Sequence, residues 1–105
     1  MSLYQVSSEA QYDLFEIWSR IAADSVDLAD RIEAEFHDLF SSLARMPGQG
    51  RRRADLTDLP ALFFPLYSFL IIYQPTAEGV RILAVLRARR DVRRILHERH
   101  ERGAY

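Results

Sequence analysis

The chain has 105 residues, of which 49% are hydrophobic and 28% charged, the composition of an ordinary globular protein with one modest core. It contains no cysteine, which excludes disulfides, thiolate nucleophiles and cysteine-ligated zinc. Residues 1–44 carry nine acidic and two basic side chains, whereas residues 45–105 carry six acidic and twelve basic ones. These net charges of −7 and +6 indicate that the second part faces an acidic partner or nucleic acid.

The basic residues themselves exclude one class of chemistry. All fourteen are arginine, and lysine is absent. The chain therefore has no side-chain amine that could form a Schiff base or act as a general base of lowered pKa. Arginine keeps its proton and instead binds carboxylates and phosphates through its planar fork of N–H groups.

Two amphipathic helices are predicted in the first half of the chain. Apolar residues recur at three- and four-residue spacing over residues 10–21 and again over residues 28–43. Asp24 or Ser25 is suited to cap the second helix, and Pro47-Gly48 ends it. The short connection between the two helices predicts an antiparallel helical hairpin.

A short first strand is predicted over residues 3–6, and strand patterns dominate the second half of the chain. Residues 61–64, 68–73 and 80–87 are apolar and rich in β-branched or aromatic side chains. Alternation in the last of these strands places Val80, Ile82, Ala84 and Leu86 towards the helices. Leu83 and Val85 alternate with these residues and are expected to form an apolar strip on the helix-free face, where a partner would bind.

A short third helix capped by Asp91 is predicted over residues 91–102, with an apolar face that includes Ile95. The order β-α-α-β-β-β-α predicts an α+β domain over residues 1–105, with a largely antiparallel sheet. No basic segment followed by an apolar stretch opens the sequence, and the longest apolar run, residues 62–73, is shorter than the ~20 residues that span a bilayer. We therefore expect a cytoplasmic protein without a membrane partner.

The candidate binding groups are arginines at the two ends of the strand region. Residues 51–53 precede the strands, and Arg87, Arg89 and Arg90 follow the last one, where three neighbouring guanidinium groups repel one another. Packing gives no reason to collect them, so this cluster is the main candidate for function. His97 and His100 lie three residues apart on the third helix, but a third metal ligand is missing from the pattern, which favours a solvated surface. We expect no metal and no cofactor.

Several ordered motifs resemble the ParE-type toxins of bacterial toxin–antitoxin systems. Residues 14–22 resemble the first helix of that family, and residues 29–32 the start of its second. Residues 47–56 (PGQGRRRADL) are similar to its Pro-x-x-Gly-x-x-Arg-x-Asp-Leu segment. Residues 69–73 and 82–91 resemble its third strand and its final strand ending in Arg-Asp. Each motif is degenerate, but the ordered set covers nearly the whole chain.

The resemblance implies the RelE/ParE fold, a helical hairpin against a curved antiparallel sheet, and an antitoxin that wraps the toxin with a helix and an extended segment. ParE-type members are associated with poisoning DNA gyrase, whereas RelE-type members cut mRNA in the ribosome with lysines and arginines on the sheet. Because this chain has no lysine, we expect a toxin that binds gyrase and has no catalytic residues. The alternative is a RelE-like ribosome-dependent endoribonuclease, and a third hypothesis is a non-toxic member that binds only its antitoxin.

This hypothesis assigns two groups of residues. The expected target-binding residues lie between the last strand and the third helix: Arg87, Arg89, Arg90, Asp91, Arg93, Arg94. The expected antitoxin-binding residues lie on the sheet strip, the basic loop and the rim of the hairpin: Leu83, Val85, Arg53, Trp18. We expect a heterodimer or larger complex with the antitoxin, and no sequence-specific binding to nucleic acid.

Overall fold

A computed structural model describes residues 3–105 and contains the predicted element order. The elements are β1 (Leu3–Val6), α1 (Ser8–Ala22), α2 (Val26–Arg45), a single 3₁₀ turn (Pro47–Gln49), β2 (Leu62–Leu66), β3 (Phe69–Pro75), β4 (Gly79–Arg87) and α3 (Val92–Glu101). The predicted α+β class and the order β-α-α-β-β-β-α are confirmed. Within residues 3–105, no helix combines the length and the apolar content needed to cross a membrane.

Serine caps define the helical hairpin. The Ser7 hydroxyl accepts a hydrogen bond from the Ala10 amide at 3.1 Å, and the Ser25 hydroxyl accepts one from the Leu28 amide at 3.1 Å. Both bonds satisfy amides that the first turn of a helix leaves free. Only three residues separate α1 from α2, and the Trp18 indole in α1 donates to Asp30 in α2 at 2.8 Å. The predicted hairpin is therefore present.

The sheet has the strand order β1-β4-β3-β2. β2 pairs antiparallel with β3, and β3 antiparallel with β4, whereas β1 pairs parallel with β4 over Gly79–Ile82. The sheet is thus mixed, with two antiparallel pairs and one parallel pair. The parallel pair is possible because the helical hairpin and two strands separate β1 from β4 in sequence. β1 is short, so the second half of β4 extends beyond it.

A β-bulge in β4 changes which side chains face the hairpin. Ile72 pairs with Ala84 and Tyr73 with Ile82, so Leu83 is an extra residue without a partner on β3. The bulge reverses the alternation after this point. The predicted orientation is correct for Val80 and Ile82, which pack in the core under the hairpin. It is wrong for the last two residues of the set, Ala84 and Leu86, which face the opposite side.

The side of the sheet away from the hairpin is covered. α3 and the segment of residues 56–61 pack on it and form a second apolar cluster that contains Leu83 and Leu96. Leu83 is 0% exposed and Val85, turned towards the hairpin by the bulge, is 2% exposed. The prediction that Leu83 and Val85 form an exposed strip is therefore wrong. Burial of a side chain of this size contributes about 1.5–3 kcal/mol, so this cluster holds α3 against the sheet.

Candidate functional site

A buried ion pair fixes the position of α3 relative to α1. The Arg99 guanidinium donates to both carboxylate oxygens of Asp13, at 2.7 and 2.9 Å, and the two residues are 8% and 6% exposed. The Val85 amide of β4 also donates to Asp13, at 3.0 Å. Hydrogen bonding to Asp13 raises the pKa of Arg99, so the guanidinium stays charged. Three elements therefore meet at one carboxylate.

Beside this pair lies a cavity that we call the arginine cup. It has a volume of about 320 Å³, and its lining comes from α1, β4 and the turn after β4: Asp13, Glu16, Ile17, Arg20, Val85, Arg87, Arg89, Arg90. Arg87 Cζ lies 4.9 Å above the centre of the Phe69 ring, which holds its guanidinium by a cation–π contact. The cup thus contains three of the predicted target-binding residues, and Arg20 is a fourth arginine that sequence reasoning missed.

The arginines of the cup lack acidic partners. Across residues 3–105, Arg20, Arg87, Arg89 and Arg90 form no ion pair. The carboxylate of Asp13 is already engaged by Arg99. Mutual repulsion of guanidinium groups is unfavourable, and an anion that enters the cup relieves it. The cup can therefore bind a carboxylate or a phosphate.

The part of β4 that extends beyond β1 lies beside the same cup. The Ala88 amide donates to Ser68 beside β3, and alternation along the ladder directs the backbone groups of Val85 and Arg87 to the opposite side. Asp13 accepts from the Val85 N–H and the Arg90 N–H donates to the Arg87 C=O. Among the described residues, none bonds the Val85 C=O or the Arg87 N–H on this side. Val85 is 2% exposed and Arg87 half-buried, so only the Arg87 end of this edge is accessible from the cup.

The other three predicted target-binding residues line a different cavity, which we call the C-terminal groove. It has a volume of about 750 Å³ and separates α3 from the segment of residues 54–60. Asp91, Arg93 and Arg94 lie at one end, and His97 and His100 lie further along α3. The six candidates are thus divided between two neighbouring cavities. Within residues 3–105, no group of three or more potential ligands is placed to hold a metal ion.

Arg53 connects the basic loop to this groove. Its guanidinium makes two bonds to Asp55, at 2.8 and 2.9 Å, and the hydrogen bond lowers the pKa of the Asp55 carboxyl. The backbone oxygen of Asp55 accepts a long bond, 3.5 Å, from Arg93. Arg53 is therefore partly neutralised, unlike the arginines of the cup.

Trp18 lies on the outer side of the hairpin. It is half-buried and lines a groove of about 520 Å³ together with Val6 of β1 and Glu33 of α2. Phe15, one turn earlier, is 64% exposed in the same groove. We call this surface the hairpin groove. An exposed aromatic side chain next to a half-buried tryptophan is typical of protein contact surfaces.

Comparisons with known proteins identify the family of the chain. A family model described as the ParE toxin of the type II toxin–antitoxin system parDE matches residues 4–92. A solved chain from the chromosomal ParDE toxin–antitoxin system of P. aeruginosa is similar in structure, with a TM-score of 0.66, 18% sequence identity, and coverage of 83% of this chain and 96% of that chain. A search of curated protein sequences found no match. The family match spans most of the sequence, and the chain therefore belongs to the ParE toxin family of type II toxin–antitoxin systems.

Proposed function

We propose that this ParE-family chain inhibits DNA gyrase by binding it, without catalysis of its own, and that a cognate antitoxin neutralises it. The observation that carries the proposal is the arginine cup, which is lined by four arginines that form no ion pair among the described residues. Guanidinium groups bind anions firmly but do not exchange protons near neutral pH, so the cup is suited to recognition rather than to acid–base chemistry.

The proposed target surface comprises the cup and the neighbouring end of the C-terminal groove. It includes Arg87, Arg89 and Arg90 on one side and Arg93 and Arg94 on the other, with Asp91 between the two groups capping α3. The exposed positions of these arginines allow contact with a large partner, since the side chains of residues 89–90 and 93–94 all reach solvent. Positive surfaces of this kind accelerate association with an acidic partner.

The proposed antitoxin surface includes the hairpin groove. Its aromatic residues Phe15 and Trp18 would receive the apolar face of an antitoxin helix. Arg53 is a further candidate on the basic loop, although its bond to Asp55 would have to be exchanged for one to the partner. The acidic residues of the hairpin would pair with basic residues of the same antitoxin helix.

The test is a gyrase supercoiling assay with the purified chain. We expect the wild-type chain to inhibit supercoiling and the double variant Arg93→Gln/Arg94→Gln to inhibit it at least about tenfold less, as loss of charge-assisted contacts implies. The control is Arg51→Gln/Arg52→Gln, which removes the same charge from exposed positions outside both cavities. Supercoiling that is unaffected by the wild-type chain would reject gyrase as the target.

One observation favours the alternative, a RelE-like mRNA endoribonuclease. The C-terminal groove places His97 and His100 on the same helix as Arg93 and Arg94, which combines groups that transfer protons with groups that stabilise a phosphate. Primer extension on mRNA during translation tests this function. Cleavage that disappears in His97→Gln, His100→Gln or Arg53→Ala would establish the nuclease. Induction of the chain without a growth defect would instead identify a non-toxic member that binds only its antitoxin.

A further inference from the structure

We propose that the arginine cup and the neighbouring turn at Tyr67 together bind single-stranded DNA, with guanidinium groups on the phosphates and the tyrosine ring stacked on a base. The binding would be independent of sequence, because neither contact reads the edges of the bases. The inference rests on the proposed function and deepens it. It assigns the cup to the DNA that gyrase holds and leaves Arg93 and Arg94 to contact gyrase itself.

Tyr67 occupies an exposed and strained position in the turn between β2 and β3. Its φ of +54° is unfavourable for a bulky side chain, and the side chain is 66% exposed. The hydrogen bond from its hydroxyl to Glu35, at 2.7 Å, is too exposed to offset the strain. Stability therefore gives no reason for a tyrosine here. Strained residues are concentrated at binding sites, where the side chain is needed for contact with a ligand.

A series of contacts joins this turn to the arginine cup. The backbone oxygen of Ser68 accepts a hydrogen bond from the Ala88 amide at 2.8 Å, so the turns after β2 and β4 lie side by side. Phe69 pairs with Arg87 across the two strands, and its ring centre lies 4.9 Å from the Arg87 Cζ. The exposed ring of Tyr67 and the guanidinium groups of the cup therefore border the same end of the sheet.

Positive charge predominates in the cup. Its lining contains four arginines that form no ion pair among residues 3–105. The Asp13 carboxylate is neutralised by Arg99, which leaves Glu16 as the other carboxylate of the lining. The cup therefore attracts anions, and its affinity for a chain of phosphates should fall as salt is added.

The combination of groups determines the class of ligand. An acidic side chain of a peptide offers a carboxylate to the arginines but no flat face to Tyr67. A nucleotide carries an anion and a flat base in one repeating unit, which matches arginines beside an exposed aromatic ring. A duplex buries its base faces by stacking, whereas an unpaired strand exposes them. Because gyrase acts on DNA, a single strand of DNA is the ligand that agrees with the proposed target.

The first experiment measures the fluorescence anisotropy of a labelled oligodeoxythymidylate of about 12 nucleotides, a length within the usual range for such sites. We expect saturable binding that weakens by about tenfold or more between about 50 and 200 mM salt, as three phosphate contacts imply. Absence of binding at the lower salt concentration would overturn the proposal. Equal affinity for a duplex of the same length, or tighter binding of an oligouridylate, would also overturn it.

Variants of Tyr67 test the stacking contact. Tyr67→Asn removes the ring and suits the backbone conformation, so weaker binding by this variant does not result from unfolding. We expect its affinity for the oligonucleotide to fall by about fivefold or more, and Tyr67→Phe, which keeps a ring, to bind within about twofold of wild type. The matched control is Tyr12→Asn, because Tyr12 is 59% exposed and lies outside the cup lining. Full affinity of Tyr67→Asn would reject the stacking contact and with it the proposal.

Two double variants with equal loss of charge test the phosphate contacts. Arg89→Gln/Arg90→Gln alters the cup, and Arg51→Gln/Arg52→Gln alters exposed arginines outside it. We expect the first to bind about tenfold more weakly, with a smaller dependence on salt, and the second to bind within about threefold of wild type. Equal melting temperatures verify that both variants are folded. Equal losses of affinity would mean that overall charge, and not the cup, binds the DNA.

A competition experiment excludes the other ligand of guanidinium groups, an acidic peptide. Unlabelled oligodeoxythymidylate and poly-glutamate are compared at equal concentrations of negative charge as competitors for the labelled strand. We expect the oligonucleotide to displace it at a concentration about tenfold or more below that of the peptide, because only the oligonucleotide can stack on Tyr67. Displacement by poly-glutamate at the lower concentration would reject DNA as the ligand.

The outcomes separate this proposal from the function on which it rests. If the wild-type chain inhibits gyrase but does not bind the oligonucleotide, the function stands and this proposal fails. If the chain binds the oligonucleotide with the expected pattern of variants but leaves supercoiling unaffected, the proposed function fails and the DNA site stands. If Tyr67→Asn loses binding to gyrase from which DNA has been removed, Tyr67 contacts the protein, and the proposal is rejected.

Discussion

The bidentate ion pair between Asp13 and Arg99 joins residues that lie 86 positions apart in the sequence. It holds together the two helices that line the two cavities of the candidate site. Asp13 forms part of the wall of the arginine cup, whereas Arg99 belongs to the helix whose other side lines the C-terminal groove. Glu9, at 3.5 Å from Arg99, adds a second, weaker acidic contact. The geometry of the proposed target surface therefore depends on a pair that is itself almost fully buried.

Arg99→Gln is expected to destabilise the chain by about 3–5 kcal/mol, because it leaves the Asp13 carboxylate buried without its charged partner. Chemical denaturation measures the loss. The double variant Asp13→Leu/Arg99→Met is expected to lose less than either single variant, since removing both charges leaves no unpaired ion. A loss below about 1 kcal/mol for Arg99→Gln would show that water solvates the Asp13 carboxylate once the guanidinium is removed.

The two long helices could be predicted from the sequence, whereas the ion pair between Asp13 and Arg99 could not. Periodicity of three to four residues marked both long helices, and turn residues such as Pro47 ended the second of them at the right place. Such signals are local, so one stretch of sequence contains them. Residue 99 continues the apolar spacing of residues 92, 95 and 96, which places Arg99 on the buried face of the third helix. Its partner lies at the other end of the chain, and this spacing does not identify Asp13.

The bulge at Leu83 explains the main error about the sheet. Strict alternation places residues two apart on one face, but one inserted residue reverses the assignment for all that follow. Val85 therefore turned into the core under the hairpin instead of outward. Alternation also cannot reveal that α3 returns to cover Leu83. The arginine cluster was predicted as a site because its charges are close in sequence; its division into two cavities follows only from the turn at residues 88–90.

Tyr73→Phe is expected to destabilise the chain by about 1–3 kcal/mol at neutral pH. The Tyr73 hydroxyl donates to the Pro47 C=O at 2.6 Å and accepts from the Gly50 N–H at 2.8 Å, so the phenylalanine leaves both backbone groups without this partner. Tyr12→Phe is the control, because Tyr12 is 59% exposed and should leave stability unchanged.

The same residue gives a pH dependence of known sign. Burial raises the pKa of Tyr73 above its ordinary value of 10.0, so the fold favours the neutral hydroxyl. The contribution of the neutral Tyr73 hydroxyl to the free energy of unfolding is fully present below pH 10 and is lost as the pH rises through the pKa of the folded state. The difference in unfolding free energy between wild type and Tyr73→Phe should therefore shrink above pH 10. A difference that stays constant to pH 12 would contradict this interpretation.

Gly50→Ala is expected to cost about 1–3 kcal/mol by overpacking. A Cβ atom at this position would lie 2.7 Å from the Tyr73 hydroxyl and 2.9 Å from the Phe63 backbone oxygen. The latter oxygen accepts the Arg51 amide at 3.0 Å, so the basic loop would also be displaced. Gly48→Ala is a matched control two residues away, with no atom within 4 Å of the added Cβ, and should change stability by less than about 1 kcal/mol. Equal losses for the two variants would show that the close contacts around Gly50 do not cause the destabilisation.

Tyr67 in the turn between β2 and β3 has a φ of +54°, a conformation in which a bulky side chain is unfavourable. Its hydroxyl donates to Glu35 at 2.7 Å, but the side chain is 66% exposed, so that bond adds little stability. Asparagine accepts this backbone conformation more readily, and Tyr67→Asn should therefore raise the melting temperature by about 2–5 °C. Tyr67→Phe keeps the strain and loses only the bond to Glu35, so its melting temperature should stay close to that of wild type. If Tyr67→Asn melts below Tyr67→Phe, packing of the tyrosine ring on α2 outweighs the strain in the turn.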